Sequence, residues 1–394
     1  MRFFLLDMAF PRTKIDLDLN EILTGYINQG LYASILRATE IRKIKYYYFL
    51  YQNIWEDIMA FSIKGLKTAV FAAALAVAVS PVSAKNFKIA VGDGAGGTQE
   101  ALGKAFIEAL EKNSNKKHTA TLFLNGQLGS EQDTVNNAAM GALDFSILAI
   151  NNITPFSPSV GTLTLPYVIL SLEDAQKVTT GPIGQQLVKN TIRDANVRII
   201  GWAYSGFRVL SNSKKPVKSV ADLDGLVVRV PKNAIMIETY KSWGINPTPM
   251  AWSETFAGLQ QKVVDGQDNP YITINAMKFY EVQKYVTNLR YIFSIEPLVV
   301  SESLFQDLSK EDQQAVLEAG KAATAFSASF LKETEDRIKK ELSEKGMEIS
   351  DPADGEKEFI DKATSTVWPK FYESIGGKDK LNEVLTALGR ETVK

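Results

Sequence analysis

The stretch VVRVP seats Arg229 inside an apolar strand that Pro231 ends. A guanidinium is seldom buried without a partner. Arg229 therefore needs an anion, either an internal Asp or Glu or a carboxylate that arrives from outside. YSGFRVLSN sets Arg208 two residues after Gly206, at a strand end where the chain can change lobes. VVDGQDNP gathers Asp265, Gln267, Asp268 and Asn269 behind a helix, residue types that ordinarily just make a turn. Upstream, FKIAVGDGAGGTQEALGKAF carries G-x-G-x-x-G at Gly92, Gly94 and Gly97, the textual fingerprint of a dinucleotide-binding turn. That reading needs an acid for the ribose about 20 residues on, at the end of the second strand. Here HTATLFLNG ends at Asn125 with no acid, so no dinucleotide cofactor is expected. The loop is left with two roles: its N–H groups face an anionic or polar ligand, or it is a structural turn.

Catalytic chemistry finds little to work with. Cysteine is absent and His118 is the single histidine, which removes disulfides, thiolates and a histidine zinc cluster. His118 lies in the polar stretch NSNKKH and is expected at the solvated surface. There is no G-x-S-x-G elbow and no paired-acid motif. No catalytic residue, metal or cofactor is assigned. The 394 residues carry a net charge of −1 with Lys and Arg dispersed, which gives no nucleic-acid footprint.

The elements that position these residues alternate between strand and helix from Phe87 onward, the mark of an α/β protein. FKIAV, TATLFL, LDFSILA, VRIIGWAYSG and LVVRVP read as strands. TQEALGKAFIEALEKN, EQDTVNNAAMGA and NAIMIETYKSWG read as helices. From SKEDQQ to SEKG the pattern is helical for about 35 residues, roughly 50 Å at 1.5 Å per residue. That is longer than one small domain is wide, so this helix is expected to lie across two lobes.

Residues 59–84, MAFSIKGLKTAVFAAALAVAVSPVSA, read as an export signal. Lys64 and Lys67 form a basic start, Thr68 to Val79 an apolar run, and Val82-Ser83-Ala84 a small-residue cleavage site. The expected mature chain begins at Lys85 in the periplasm. Residues 1–58 are expected to be an upstream extension from a misplaced start.

Taken together, several stretches resemble one family. Gly206-Phe207-Arg208, Leu226 to Pro231, Pro247 to Glu254, Val263 to Pro270 and Lys278 to Tyr285 follow one another in the order and spacing of the solute receptors of tripartite ATP-independent periplasmic (TRAP) transporters. Asn125 to Asp133 and Leu165 to Val168 match as well. The resemblance implies a two-lobe, type II-like periplasmic-binding-protein fold with a hinge, braced by the long C-terminal helix. Lobe I would comprise 85–205 plus 294–333 and lobe II 206–293 plus 334–394. It implies a receptor, not an enzyme, that closes on a small organic carboxylate and delivers it to membrane permease subunits, acting as a monomer. It makes Arg229 the carboxylate grip, Arg208 a second polar contact, Asn269 an amide beside the carboxylate, and Trp252 the aromatic against the solute body. Gly94, Gln127, Glu131 and Asn151 would face them from the other lobe. Members that bind sialic acid carry an acid where Ala149 stands here, and Trp252 replaces a smaller Phe. A compact hydroxy or sugar acid is the expected solute. Two other readings are an ATP-driven oxyanion receptor centred on the Gly92–Gly97 loop and an exported α/β hydrolase.

Overall fold

The computed structural model describes residues 84–394, together with Tyr46 and Phe49. The expected export signal and upstream extension lie outside the described residues, apart from Ala84 and those two positions.

Two sheets carry the fold. The first contains β1 (Lys85–Val91), β2 (His118–Phe123), β3 (Phe145–Ile147), β4 (Val197–Phe207) and β10 (Phe293–Ser301), in the order β2-β1-β3-β10-β4. β1 runs parallel to β2 and β3, while β10 is antiparallel to both of its neighbours. The second contains β5 (Val209–Asn212), β6 (Val228–Val230), β7 (Thr248–Pro249), β8 (Gly266–Asn269), β9 (Tyr285–Thr287) and β11 (Glu348–Ser350), in the order β11-β9-β5-β8-β6-β7. The chain therefore leaves the first sheet at the end of β4 and returns in β10. Arg208 is the single residue between β4 and β5, and its N–H donates to Ile292 on the returning segment at 2.9 Å.

The helices are α1 (Thr98–Asn113), α2 (Glu131–Ala139), α3 (Leu172–Thr180), α4 (Pro182–Ala195), α5 (Ala234–Ser242), α6 (Thr255–Gln260), α7 (Tyr271–Ala276), α8 (Glu302–Asp307), α9 (Lys310–Glu344), α10 (Lys357–Phe371) and α11 (Lys378–Ala387). Ser171, Asn233 and Ser309 cap α3, α5 and α9 by accepting the N–H of Asp174, Met236 and Asp312, which satisfies donors that a helix start leaves free. α9 has the 35 residues that its pattern predicts. It lies against β4, an edge strand whose outward donors would otherwise face solvent. Thr324 and Ser327 of α9 accept the N–H groups of Trp202 and Tyr204 at 2.9 and 2.8 Å. Gly320 permits this approach, since a Cβ there would drive into the carbonyl of Ile200.

The motif at Leu165 to Val168 is an anchor for the C-terminus. Arg390 donates to the carbonyls of Tyr167 and Val168, and Trp368 donates to that of Pro166. Two sequence expectations are corrected here. His118 is buried beside Phe87, accepts the N–H of Lys85, and holds Nε2 3.0 Å from Asp312. Its polar sequence neighbours conceal that β2 carries the ring under α9. Gly266–Asn269 is a buried strand, not a turn. Its polar side chains find tertiary partners, which lets polar residue types enter a sheet interior.

Candidate functional site

β6 and β8 deliver Arg229 and Asn269 from the second sheet to a narrow cavity. Arg208, Trp252 and Thr273 also line it, while Asp93, Gln99, Glu131, Ala149, Asn151, Asn152 and Glu296 close it from the first-sheet half. Glu131, Asn152 and Trp252 also line an adjoining, wider cavity of ≈ 210 Å³.

The two arginines stand in opposite circumstances. Arg208 is paired internally: its Nε donates to Asp268 Oδ2 at 2.6 Å, and a terminal nitrogen donates to the Asp268 carbonyl. Tyr291 donates to the same carboxylate oxygen at 2.6 Å. Arg229 has no such acid. Its Nε and one terminal nitrogen donate to the carbonyl of Met250 at 3.1 and 2.8 Å, and its guanidinium carbon lies 5.5 Å from the centre of the Trp252 ring. The residue is only 2% exposed. Burial, then the neighbouring Arg208, pull its pKa down to about 10, so it remains a cation at neutral pH. Of the two anions that the sequence left open for Arg229, no internal one forms an ion pair with it among the described residues. A buried cation held only by a carbonyl and an aromatic face is arranged to receive a carboxylate.

Opposite it stand three buried carboxyl groups: Asp93, Glu131 and Glu296. Burial raises all three pKa values, and mutual repulsion adds to the shift of Asp93 and Glu296. Asp93 is pushed up to about 7. Glu131 heads α2, where it accepts from Gln99 Nε2, the Ala149 N–H and Asn152 Nδ2. Glu296 Oε2, Asn151 Nδ2 and Trp252 Nε1 are buried without a hydrogen-bond partner. Such orphans cost free energy unless a ligand completes them.

The Gly-rich loop is a structural turn. Its N–H groups at Gly92 and Asp93 donate to Gln99 Oε1, that of Gly96 to Glu100, that of Gly97 to Gly94, and that of Gly94 points at Met277 Sδ. The donors an oxyanion would need are taken. Gly92 is glycine for clearance, because a Cβ would sit 2.7 Å from Glu131 Oε1 and 3.0 Å from Trp252 Cδ1.

Of the residues singled out in the sequence, Arg229, Arg208, Asn269, Trp252, Glu131 and Asn151 meet in the cavity. Gly94 and Gln127 do not. Gly94 packs on Ala276 and Met277, and Gln127 is exposed on its turn. Glu296, Asp93, Gln99 and Thr273 were missed. Glu296 carried the signal that exposed Arg229, a charge inside an apolar strand, FSIEPLVVS. Among the described residues no cluster of His, Asp or Glu is spaced to hold a metal ion, and no helix is long and apolar enough to cross a membrane.

Two lobes, a long bracing helix and a cation waiting in the cleft define a solute receptor of the periplasmic-binding type. Residues 95–375 match the family described as bacterial extracellular solute-binding protein, family 7 (DctP), and the chain belongs to that family. A solute-binding protein of Verminephrobacter eiseniae is 33% identical over 282 residues, covering 72% of this chain and 83% of that one. A TRAP periplasmic solute-binding protein of Roseobacter denitrificans, solved with bound L-galactonate, is 31% identical with a TM-score of 0.72, covering 78% of this chain and 99% of that one. Another, from Haemophilus influenzae with bound L-gulonate, is 30% identical with a TM-score of 0.72, covering 76% and 99%. The chain is therefore a receptor of the TRAP class rather than an enzyme, and the oxyanion-receptor and hydrolase readings fall away.

Proposed function

We propose that this receptor binds a sugar acid or similar hydroxy acid in the periplasm and hands it to the permease subunits of a TRAP transporter. The observation that carries the solute class is Arg229, a buried guanidinium without an acidic partner in a cavity whose opposite wall accepts hydrogen bonds. A planar guanidinium grips one carboxylate through paired N–H···O bonds, and the facing carboxyl groups suit the hydroxyls of a polyol. The sugar acids bound by the Roseobacter and Haemophilus proteins support the same solute class. Asn269, beside Arg229 with its Nδ2 2.5 Å from Gln267 Oε1, is read as the amide flanking the carboxylate. Trp252 is read as the wall against the solute body.

The lobes in this reading are 85–205 plus 294–333 and 206–293 plus 334–394, the mature chain starts at Lys85, and the receptor acts as a monomer. Intact-mass measurement on protein exported by its native host tests the start; a species that retains residues 61–84 counts against it. Calorimetric titration with galactonate, gulonate and their methyl esters tests the carboxylate grip. The acids should bind and the esters should lose most of the affinity. Equal affinity for acid and ester would end this reading.

A further inference from the structure

We propose that the cavity accepts one ligand carboxylate only, so that aldonates bind while aldarates on the same carbon skeleton are refused. Asp93, Glu131 and Glu296 are the residues that set this specificity. The inference rests on the sugar-acid reading above and goes beyond it to the far end of the solute.

The distribution of donors and acceptors makes the case. Arg229 is the cavity's one guanidinium without an acidic partner among the described residues, because Arg208 is spent on Asp268. One cation matches one carboxylate. At the other end four side-chain donors are already given to the three acids. Thr273 Oγ1 donates to Asp93 at 3.2 Å, Ser294 Oγ to Glu296 at 3.3 Å, Gln99 Nε2 to Glu131 at 3.0 Å, and Asn152 Nδ2 also to Glu131. A second carboxylate arriving there would meet the acids' like charge, with only Asn151 Nδ2 and Trp252 Nε1 left unpaired as donors in the cavity, and a desolvated like-charge contact discriminates strongly against the wrong ligand. A terminal hydroxyl meets the reverse. It can donate to Glu296 Oε2, which is 3% exposed as a residue and lacks any partner. A site built to accept from an O–H rejects the analogue that lacks one by leaving its own polar groups unpaired.

The test is calorimetric titration at pH 8 of three pairs on shared skeletons: galactonate and galactarate, gulonate and glucarate, erythronate and tartrate. At least one aldonate should bind, with its aldarate weaker by 100-fold or more. In Glu296→Gln and Asp93→Asn, each checked for folding by circular dichroism, the gap should narrow by 10-fold or more in one or both. Comparable affinity for acid and diacid would overturn the proposal and leave the sugar-acid reading standing. A gap unchanged in both variants would overturn the assignment to these acids. Binding of neither class would remove the sugar-acid reading and this inference with it.

Discussion

Arg229 and Arg208 share a cavity yet predict opposite outcomes when truncated. Arg229 pairs with no acid, so Arg229→Ala removes a ligand contact and relieves a buried cation. We expect affinity to fall by about 2–5 kcal/mol, roughly 30- to 4,000-fold at 1.4 kcal/mol per decade. The melting temperature of the unliganded protein should be unchanged or raised. Arg229→Lys keeps the charge without the fork and should recover part of the affinity. Arg208→Ala instead strands Asp268, and breaking such a buried pair costs about 3–5 kcal/mol of folding stability. Titration and thermal melts on the three variants check both statements; a large loss of unliganded stability in Arg229→Ala would make Arg229 structural. Asp93 adds a pH dependence. Its carboxyl titrates at 3.8 in the unfolded chain and, through burial and the nearby Glu131, at about 7 when folded. The folded state holds the proton more tightly. The stability from this group is therefore full below pH 3.8 and is lost as pH rises through about 7. Glu131, Glu296, Arg208 and Arg229 face the same space and modulate the midpoint. Asp93→Asn keeps an acceptor for Thr273, so its urea midpoint should vary less than wild type between pH 4 and 7 and exceed it above. Parallel curves would rule out this role for Asp93.

At the scale of elements, the contact between α9 and β4 depends on Gly320. Alanine is the better helix former by about 1 kcal/mol, and on that ground alone Gly320→Ala would stabilise. The added Cβ meets the backbone of Ile200 rather than a side chain able to swing away, and overpacking costs about 1–3 kcal/mol. Sterics should win, since the helix would also have to pull Thr324 and Ser327 off the Trp202 and Tyr204 N–H groups. We expect the melting temperature to drop by several degrees. A rise would mean that the helix does not sit on this strand edge.

For the whole molecule, the two halves meet in two places: around the cavity, and where Tyr291, Glu356, Trp368 and Arg390 hold the segment Pro166 to Val168. Thr273 reaches Asp93, Gly94 N–H points at Met277, Asn233 Nδ2 donates to the Asn151 carbonyl, and Gln132 Nε2 to that of Lys232. The segments that cross between the sheets at Arg208 and again before β10 are the places where one half can rotate against the other. A ligand gripped by Arg229 on one side and by Asp93, Glu131 or Glu296 on the other is satisfied only when the halves are close, so it biases the molecule toward closure. Solution scattering should show a smaller radius of gyration with saturating ligand. An unchanged radius would exclude the hinge.

The α/β alternation, the single long helix and the hazard of Arg229 were legible in the sequence, because each rests on local pattern: period, capping residues, and a charge set into an apolar strand. The order of motifs from Arg208 to Tyr285 carried the family. Tertiary structure alone decided who partners whom. Arg208, between β4 and β5, and Arg229, within β6, are the same residue type, yet β8 brings an acid only to Arg208. His118 looks solvated in its sequence neighbourhood and is buried because β2 lies under α9. The Gly-rich loop suited an anion until Gln99, the second residue of α1, took the N–H groups of Gly92 and Asp93. Pairing of buried polar groups is a property of approach between distant segments, and no local spacing encodes it.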